Sequence, residues 1–236
     1  MKRNDVLSML FVSVLSGTVF SGTMGADSES TRWTKVTSLS LGPVWEQAGN
    51  TQSFYLTPEI EKTYAARQQT NTIANGELFW GMQKNITSSM RTQLGFALAA
   101  TTNASLSGLI WDDADPQFAN YSYRYKVQHT HIALKSKLLM DKDYWLMPWV
   151  SGSIGISFNY AHAFQNTPLI YEAIVNPNFT SHTQTALTYT LGAGVQKALN
   201  QHWQVGVGYE FADWGKSSLG RAPEQTLNSG LKLNHL

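Results

Sequence analysis

The stretch MRTQLGFALAA, residues 90–100, decides the fold. Met90, Leu94, Phe96 and Leu98 alternate with Arg91, Gln93, Gly95, Ala97 and Ala99. A period of two sends successive side chains to opposite faces of a strand, whereas a helix would group residues three and four apart. One face is therefore large and apolar, and the other is polar or small.

The same pattern recurs on either side. Residues 73–83 set Leu78, Trp80 and Met82 against Glu77, Phe79 and Gly81. Residues 120–138 carry Tyr121, Tyr123 and Tyr125, then His129, His131, Ala133 and Lys135, opposite Ile132 and Leu134. Residues 144–160 set Val150, Ile154, Ile156 and Phe158 against serines and Gly155, and 183–198 set Leu187, Tyr189 and Leu191 against Thr188, Thr190 and Gln196. Residues 203–213 set Val205, Val207, Tyr209 and Phe211 against Gln204, Gly206, Gly208 and Glu210, and 226–236 end the series with Leu231 and Leu233 in step. Toward the N-terminus, 53–66 and 36–45 alternate too, the latter through Leu39, Leu41 and Trp45. The segments are close to the 9–11 residues of a tilted membrane-crossing strand, or longer.

Composition narrows the class. Charged residues make up 14% of the 236 residues, against the ~25% usual in soluble domains, while aromatics reach 12%. Mean hydropathy is −0.23, which excludes a bundle of membrane helices. Few charges, many aromatics and alternating segments fit an all-β, closed antiparallel up-and-down transmembrane barrel. A soluble β-sandwich also alternates, but aromatics near segment ends favour the membrane, where they would form girdles. Cysteine is absent, which excludes disulfides, a thiol nucleophile, zinc thiolates and a lipidated cysteine.

Residues 1–25 have the three parts of an export signal. Lys2 and Arg3 are followed by an apolar run over 6–20, then by small residues through Gly25. About 15 apolar residues fall short of the roughly 20 that a spanning helix needs, so cleavage near Gly25 is expected, with delivery to the bacterial outer membrane. Lys2, Arg3 and Asp5 contribute +1 of the chain's net +1, leaving the remainder neutral and without electrostatic grounds for binding nucleic acid. Residues 26–35 form a polar lead-in.

Connection lengths set orientation. The links 84–89, 140–143 and 199–202 are short, while 101–119, 161–182 and 214–225 are long. Outer-membrane barrels pair short periplasmic turns with long outer loops. Counting from 53–66 to the end then yields a barrel of about eight strands over 53–236. Residues 36–52 stand outside that count, as a periplasmic lead-in or as a segment inside the barrel. Pro58 and Pro148 interrupt expected strands, so bulges are expected there.

Four stretches, SFYLTPEIEKTY (53–64), YTLGAGVQKA (189–198), WQVGVGYEF (203–211) and LGRAPEQT (219–226), together resemble a group of uncharacterised gammaproteobacterial outer-membrane β-barrel proteins of the small porin-like class. The resemblance implies such a barrel, inserted by the barrel-assembly machinery, and brings no catalytic residues. It also implies a last strand ending on an aromatic residue. The chain ends Asn234-His235-Leu236, so the closing strand is expected to be short by about one strand's length.

In this phase the lumen-facing polar residues are Glu77, Arg91, Gln93, His129, His131, Lys135, Gln196 and Glu210. Eight strands leave an interior mostly filled by side chains. Glycines at 95, 155, 192, 194, 206 and 208 thin that filling and leave room for water or for a large residue such as Trp149. His129 and His131 point one way but lack a third metal ligand, and Asp112, Asp113 and Asp115 lack the spacing of a calcium loop. Ser181 and His182 are neighbours on opposite faces and cannot form a dyad with each other. No catalytic, cofactor-binding or metal residue is therefore assigned, and no enzymatic activity is expected.

Loop 161–182 holds Phe164, Leu169, Ile170, Tyr171, Ile174, Val175 and Phe179. Such residues fold over the mouth or meet a partner. The expected function is a structural and surface-interaction barrel that contacts outer-membrane lipid and meets a host or envelope partner at loops 101–119 and 161–182. The alternatives are passive transport of small solutes and a lipid-modifying enzyme.

Overall fold

The period-two segments fold as strands, and every pairing between them is antiparallel. A computed structural model describes residues 8–19, 33–48, 51–67, 69–141, 145–173, 177–228 and 230–233. The strands are β1 (Ser8–Val19), β2 (Thr34–Ala48), β3 (Gln52–Thr57), β4 (Ile60–Ala66), β5 (Gln69–Thr87), β6 (Met90–Thr101), β7 (Ala104–Asp112), β8 (Ala119–Met140), β9 (Met147–Pro168), β10 (His182–Ala198) and β11 (Trp203–Asp213). A 3-10 turn spans Pro116–Phe118, and two short strands, β12 (Ser217–Ser218) and β13 (Lys232–Leu233), pair with each other. No α-helix occurs among the described residues, and none of their helices is long or apolar enough to cross a membrane.

The sheet curls into a half-barrel, its pairing running from β1 through β2, β5, β6, β8, β9 and β10 to β11. Register carries the alternation across it. Leu39, Leu78, Leu98, Ile132, Ile156 and Leu187 stand opposite one another on six adjacent strands. All six are exposed, from 41% at Leu39 to 78% at Leu187. On the other face Glu77 and Gln93 are each 4% exposed, and Glu210 is 3% exposed. The wall is thus apolar outside and polar inside, the reverse of a soluble protein.

The structure differs from the sequence expectation in four places. Residues 36–45 lie neither beneath the wall nor inside it: β2 pairs with β5 at fifteen positions, from Thr34 opposite Gln83 to Ala48 opposite Gln69. Residues 53–66 are not one wall strand. Pro58 and Glu59 form the turn between β3 and β4, where the fixed φ of proline suits a turn and no ladder donor is needed. This hairpin pairs with β7, and β7 pairs with the upper half of β8. Long loops on that side therefore form a flap of sheet instead of open coil. The described residues between 226 and 233 do not form one full strand either, β13 being confined to Lys232–Leu233. Leu219 N and Leu231 O are hydrogen-bonded at 2.9 Å, Thr226 and Leu227 both donate to Leu56 O at 3.1 Å, and Leu231 is buried. The segment folds inward and lies against the flap.

Pro148 causes no bulge. It lies opposite Val195 of β10, one residue beyond the last partner of β8, Trp149. The bulge is at Ala163, whose φ is 55°. There Lys126 and Arg124 of β8 face His162 and Gln165 of β9, so Tyr125 alone stands against Ala163 and Phe164. The extra residue reverses the alternation, sending Phe164 inward to be buried and Gln165 outward. The expected cleavage site near Gly25, the lead-in up to residue 32, Ile174 and Val175, and the C-terminal Asn234-His235-Leu236 lie outside the described residues.

Candidate functional site

The interior is built in layers by side chains that the alternation turns inward. Nearest the short turns, Arg91 pairs with Asp141 at the rim, only partly buried. Gln93 donates to Gln83 at 2.9 Å. Lys137 donates to Gln196 at 2.6 Å and lies over the Trp149 ring at 4.3 Å, and Gln196 donates on to Gln204 at 2.7 Å.

At the centre, Lys135 Nζ donates to both oxygens of Glu77, at 2.7 and 2.9 Å, and to Glu210 Oε2 at 2.7 Å. Three strands, β8, β5 and β11, supply these groups. The cavity beside them holds about 30 Å³, which suits a water or two and no solute.

Above this lies a histidine layer. Asn159 Nδ2 donates to the carbonyls of Trp214 and Lys216, both at 2.9 Å, which turns Oδ1 toward His129 Nδ1 at 2.8 Å. His129 Nδ1 must then be the donor, because a carbonyl oxygen only accepts. Nε2 consequently faces the buried carboxylate of Glu46 at 3.8 Å. Trp214 closes the layer, its ring 4.7 Å from that of His129 and 6.0 Å from that of His131.

Aromatic rings fill the mouth. Tyr125, Tyr123 and Phe164 stack at 5.9–6.4 Å, Phe164 meets Phe179 edge-on at 5.0 Å, and Tyr64 lies 5.3 Å from Phe179. Burial pushes the Tyr64 phenol above its ordinary value, helped by the neighbouring Tyr123 and Asp112. Of the loop aromatics, Phe164 and Phe179 thus plug the mouth, while Tyr171 is fully exposed. Outside the plug lies a cavity of about 730 Å³ whose lining includes Glu59, Glu61, Asp112, Glu172 and Glu224, with Lys62 among them.

Seven of the eight residues expected to face the lumen are buried there: Glu77, Gln93, His129, His131, Lys135, Gln196 and Glu210. Only Glu77, Lys135 and Glu210 converge on one another. Arg91 serves the rim. Glu46, Asn159, Lys137 and Trp214 were not singled out from sequence. The first three share the inward parity of Ser40, Ser157 and Lys135, so alternation could have found them, whereas Trp214 follows the last wall strand and had no periodic signal.

Among the described residues, no group of three His, Cys, Asp or Glu side chains could hold a metal. Asp112 accepts from Lys62 at 2.8 Å and from Asn120 at 2.7 Å, and Asp115 caps the 3-10 turn through Gln117 N. His182 does meet a serine, but it is Ser218, with Oγ 3.4 Å from Nδ1, the long limit of a hydrogen bond.

Glycine makes room for one large lumen residue. Gly194 and Gly208 are paired on β10 and β11, and a Cβ on Gly208 would run into the indole of Trp149. Gly208→Leu is expected to destabilise the folded protein by about 1–3 kcal/mol through overpacking. A concurrent Trp149→Ala should recover part of that loss, read as the urea midpoint of the detergent-folded protein. A Gly208→Leu protein as stable as its parent would mean that Trp149 does not lie over these glycines. No known protein family, curated protein or solved structure matches this chain, so a functional reading has to come from the wall, the filled lumen and the acidic mouth themselves.

Proposed function

We propose that the chain is an outer-membrane β-barrel protein of eight wall strands, with a structural role and a surface-interaction role exerted through its outer loops. One observation carries the reading: exposed apolar rows on one face of the curled sheet back a charged, hydrogen-bonded interior on the other. In water that arrangement would waste the hydrophobic effect, whereas in a bilayer it gives every surface its preferred neighbour.

Closure is supported by the seam. β1 pairs with β2 on one flank and with β11 on the other, Val12 standing opposite both Leu41 and Val207. The space between β2 and β11 is therefore one strand wide, as an eight-strand ring requires. Residues 8–19 also lie within the apolar core of the export signal. Their sequence, SMLFVSVLSGTV, lacks the strict apolar–polar alternation of the other wall strands. Removal of the signal at the inner membrane would leave this place to another strand in the mature wall.

The filled lumen argues against conduction. The Lys135 cluster, the histidine layer and the aromatic plug obstruct the axis in turn, and the cavity beside Lys135 is water-sized. The acidic mouth, contributed by the β3–β4 hairpin, the loop after β7 and the loop after β9, is the surface offered to partners. No catalytic role is assigned. Folded in detergent, the protein is expected to change gel mobility on boiling and, in a planar bilayer, to give no stable unitary conductance. Identical boiled and unboiled bands would overturn the membrane reading, while stable unitary steps would replace the structural role by passive transport.

A further inference from the structure

We infer that the outer wall carries a docking site for the phosphorylated sugar headgroup of an outer-leaflet glycolipid, formed around Arg67 and Arg124; this rests on the membrane reading above. The two arginines belong to one row that crosses four strands. Arg67 N donates to Ser107 O at 2.9 Å. Ser107 stands opposite Arg124, and Arg124 stands opposite Gln165, whose Oε1 accepts from its guanidinium at 3.1 Å.

A hollow of about 340 Å³ opens over this row, lined by Arg67, Ser107, Ser122, Arg124, Gln165 and Thr167 among others, with no carboxylate in its lining. Two guanidiniums, two hydroxyl-bearing serines, a threonine and an amide form a donor-rich surface. Two strand spacings, about 10 Å, separate the backbones of the arginines. Their long side chains can close on one phosphate or take two neighbouring ones, and the guanidinium fork suits that geometry. The bulge at Ala163 is part of the device. Paired without the bulge, the same chain would set Phe164 outward beside Arg124 in place of Gln165.

Height on the wall identifies the ligand class. Phe158 and Tyr160 are exposed on the outer face, and Tyr160 stacks on His162 at 4.6 Å. Tyr160 stands opposite Gln128, four residues before which lies Arg124. At about 3.3 Å per residue and a tilt of about 40°, Arg124 sits roughly 10 Å beyond this aromatic level. That is the depth of lipid headgroups, clear of acyl chains. Lys126, also exposed, lies between the two levels. The carboxylates gather instead at the mouth, so a nearly neutral chain sorts its charges, with acid toward the medium and base toward the headgroups.

The test uses the full chain folded in dodecyl-maltoside micelles and titrated with fluorescent rough lipopolysaccharide bearing a phosphorylated core. Arg67→Gln/Arg124→Gln should weaken binding at least about tenfold, the usual scale for lost charge-assisted hydrogen bonds. Lys84→Gln/Lys197→Gln, which removes the same charge near the opposite rim, should leave it unchanged. Dephosphorylated lipid should bind the parent protein as weakly as intact lipid binds the arginine variant, and millimolar inorganic phosphate should leave most lipid bound. Unchanged binding by the arginine variant, equal loss in the lysine variant, or full displacement by inorganic phosphate would each overturn the site. Boiled and unboiled gels of the same samples separate this from failure of the membrane reading: a parent protein without a heat shift overturns both, while a heat-shifted variant with full binding overturns the site alone.

Discussion

Lys135→Met is expected to destabilise the folded protein by about 3–5 kcal/mol, the scale for removing one partner of a buried ion pair. Lys135 is the cation held between the carboxylates of Glu77 and Glu210, and all three are nearly inaccessible. Methionine fills most of the same volume, so packing changes little while two carboxylates lose their shared counter-charge. Lys137 lines the same cavity but is engaged with Gln196 and Trp149, and its reach does not make up the loss. Glu77→Gln should cost less than Lys135→Met, since Lys135 keeps Glu210. The triple replacement Lys135→Met, Glu77→Gln, Glu210→Gln should recover most of the stability, because the charges leave together. Urea titration of detergent-folded protein, following the unboiled gel band, measures each variant. A Lys135→Met protein within about 1 kcal/mol of the parent, below the scale of a buried pair, would show that water reaches the cluster and that the lumen is not filled.

The convergence of those three residues shows how far the sequence could be read. Alternation gives each of them the inward face, because parity is local: Glu77 follows from Leu78, Lys135 from Leu134 and Glu210 from Tyr209. Which inward residues meet depends on the stagger of non-adjacent strands around the wall, and no local pattern carries that. Within adjacent strands the register did follow the apolar rows, since a slip by one residue would turn every leucine of the row inward. The mouth was less legible for a different reason. There the inward face gains an apolar core, so Tyr64, Leu106 and Ile110 are buried beside one another while Ser105 and Leu109 stay exposed, a pattern that does not set polar residues inward as the wall does. Residues 53–66 alternate as well as any wall strand, and the turn at Pro58 alone distinguishes the hairpin. Residues 36–45 were excluded from the wall by counting strands, a global inference that one misplaced hairpin overturns.

A chain lacking residues 1–25 is expected to keep a heat-modifiable gel band, with another segment in the place that β1 takes in the full chain. In the full chain the edges of β2 and β11 are both satisfied by β1, from Lys35 opposite Val19 to Trp45 opposite Ser8, and from Trp203 opposite Gly17 to Phe211 opposite Ser8. Without it, two edges of backbone N–H and C=O groups would face hydrocarbon, each unsatisfied group at a cost of several kcal/mol. The absence of cysteine makes the seam testable by cross-linking. Val12→Cys/Leu41→Cys and Val12→Cys/Val207→Cys should each oxidise to a disulfide in the full chain, because the partners are directly opposed on neighbouring strands. Leu41→Cys/Val207→Cys should not, since β1 holds them two strand spacings apart, about 10 Å, beyond the roughly 7 Å limit for a disulfide. In the shortened chain this last pair separates two fates of the seam. Cross-linking would mean that β2 and β11 have moved together into a smaller ring. A heat-modifiable band without cross-linking would mean that another segment has entered the same place, making residues 8–19 dispensable as a wall strand. A heat-modifiable band without cross-linking is the expected result, whereas loss of both signals would mean that residues 8–19 are themselves needed to fill the strand-wide seam.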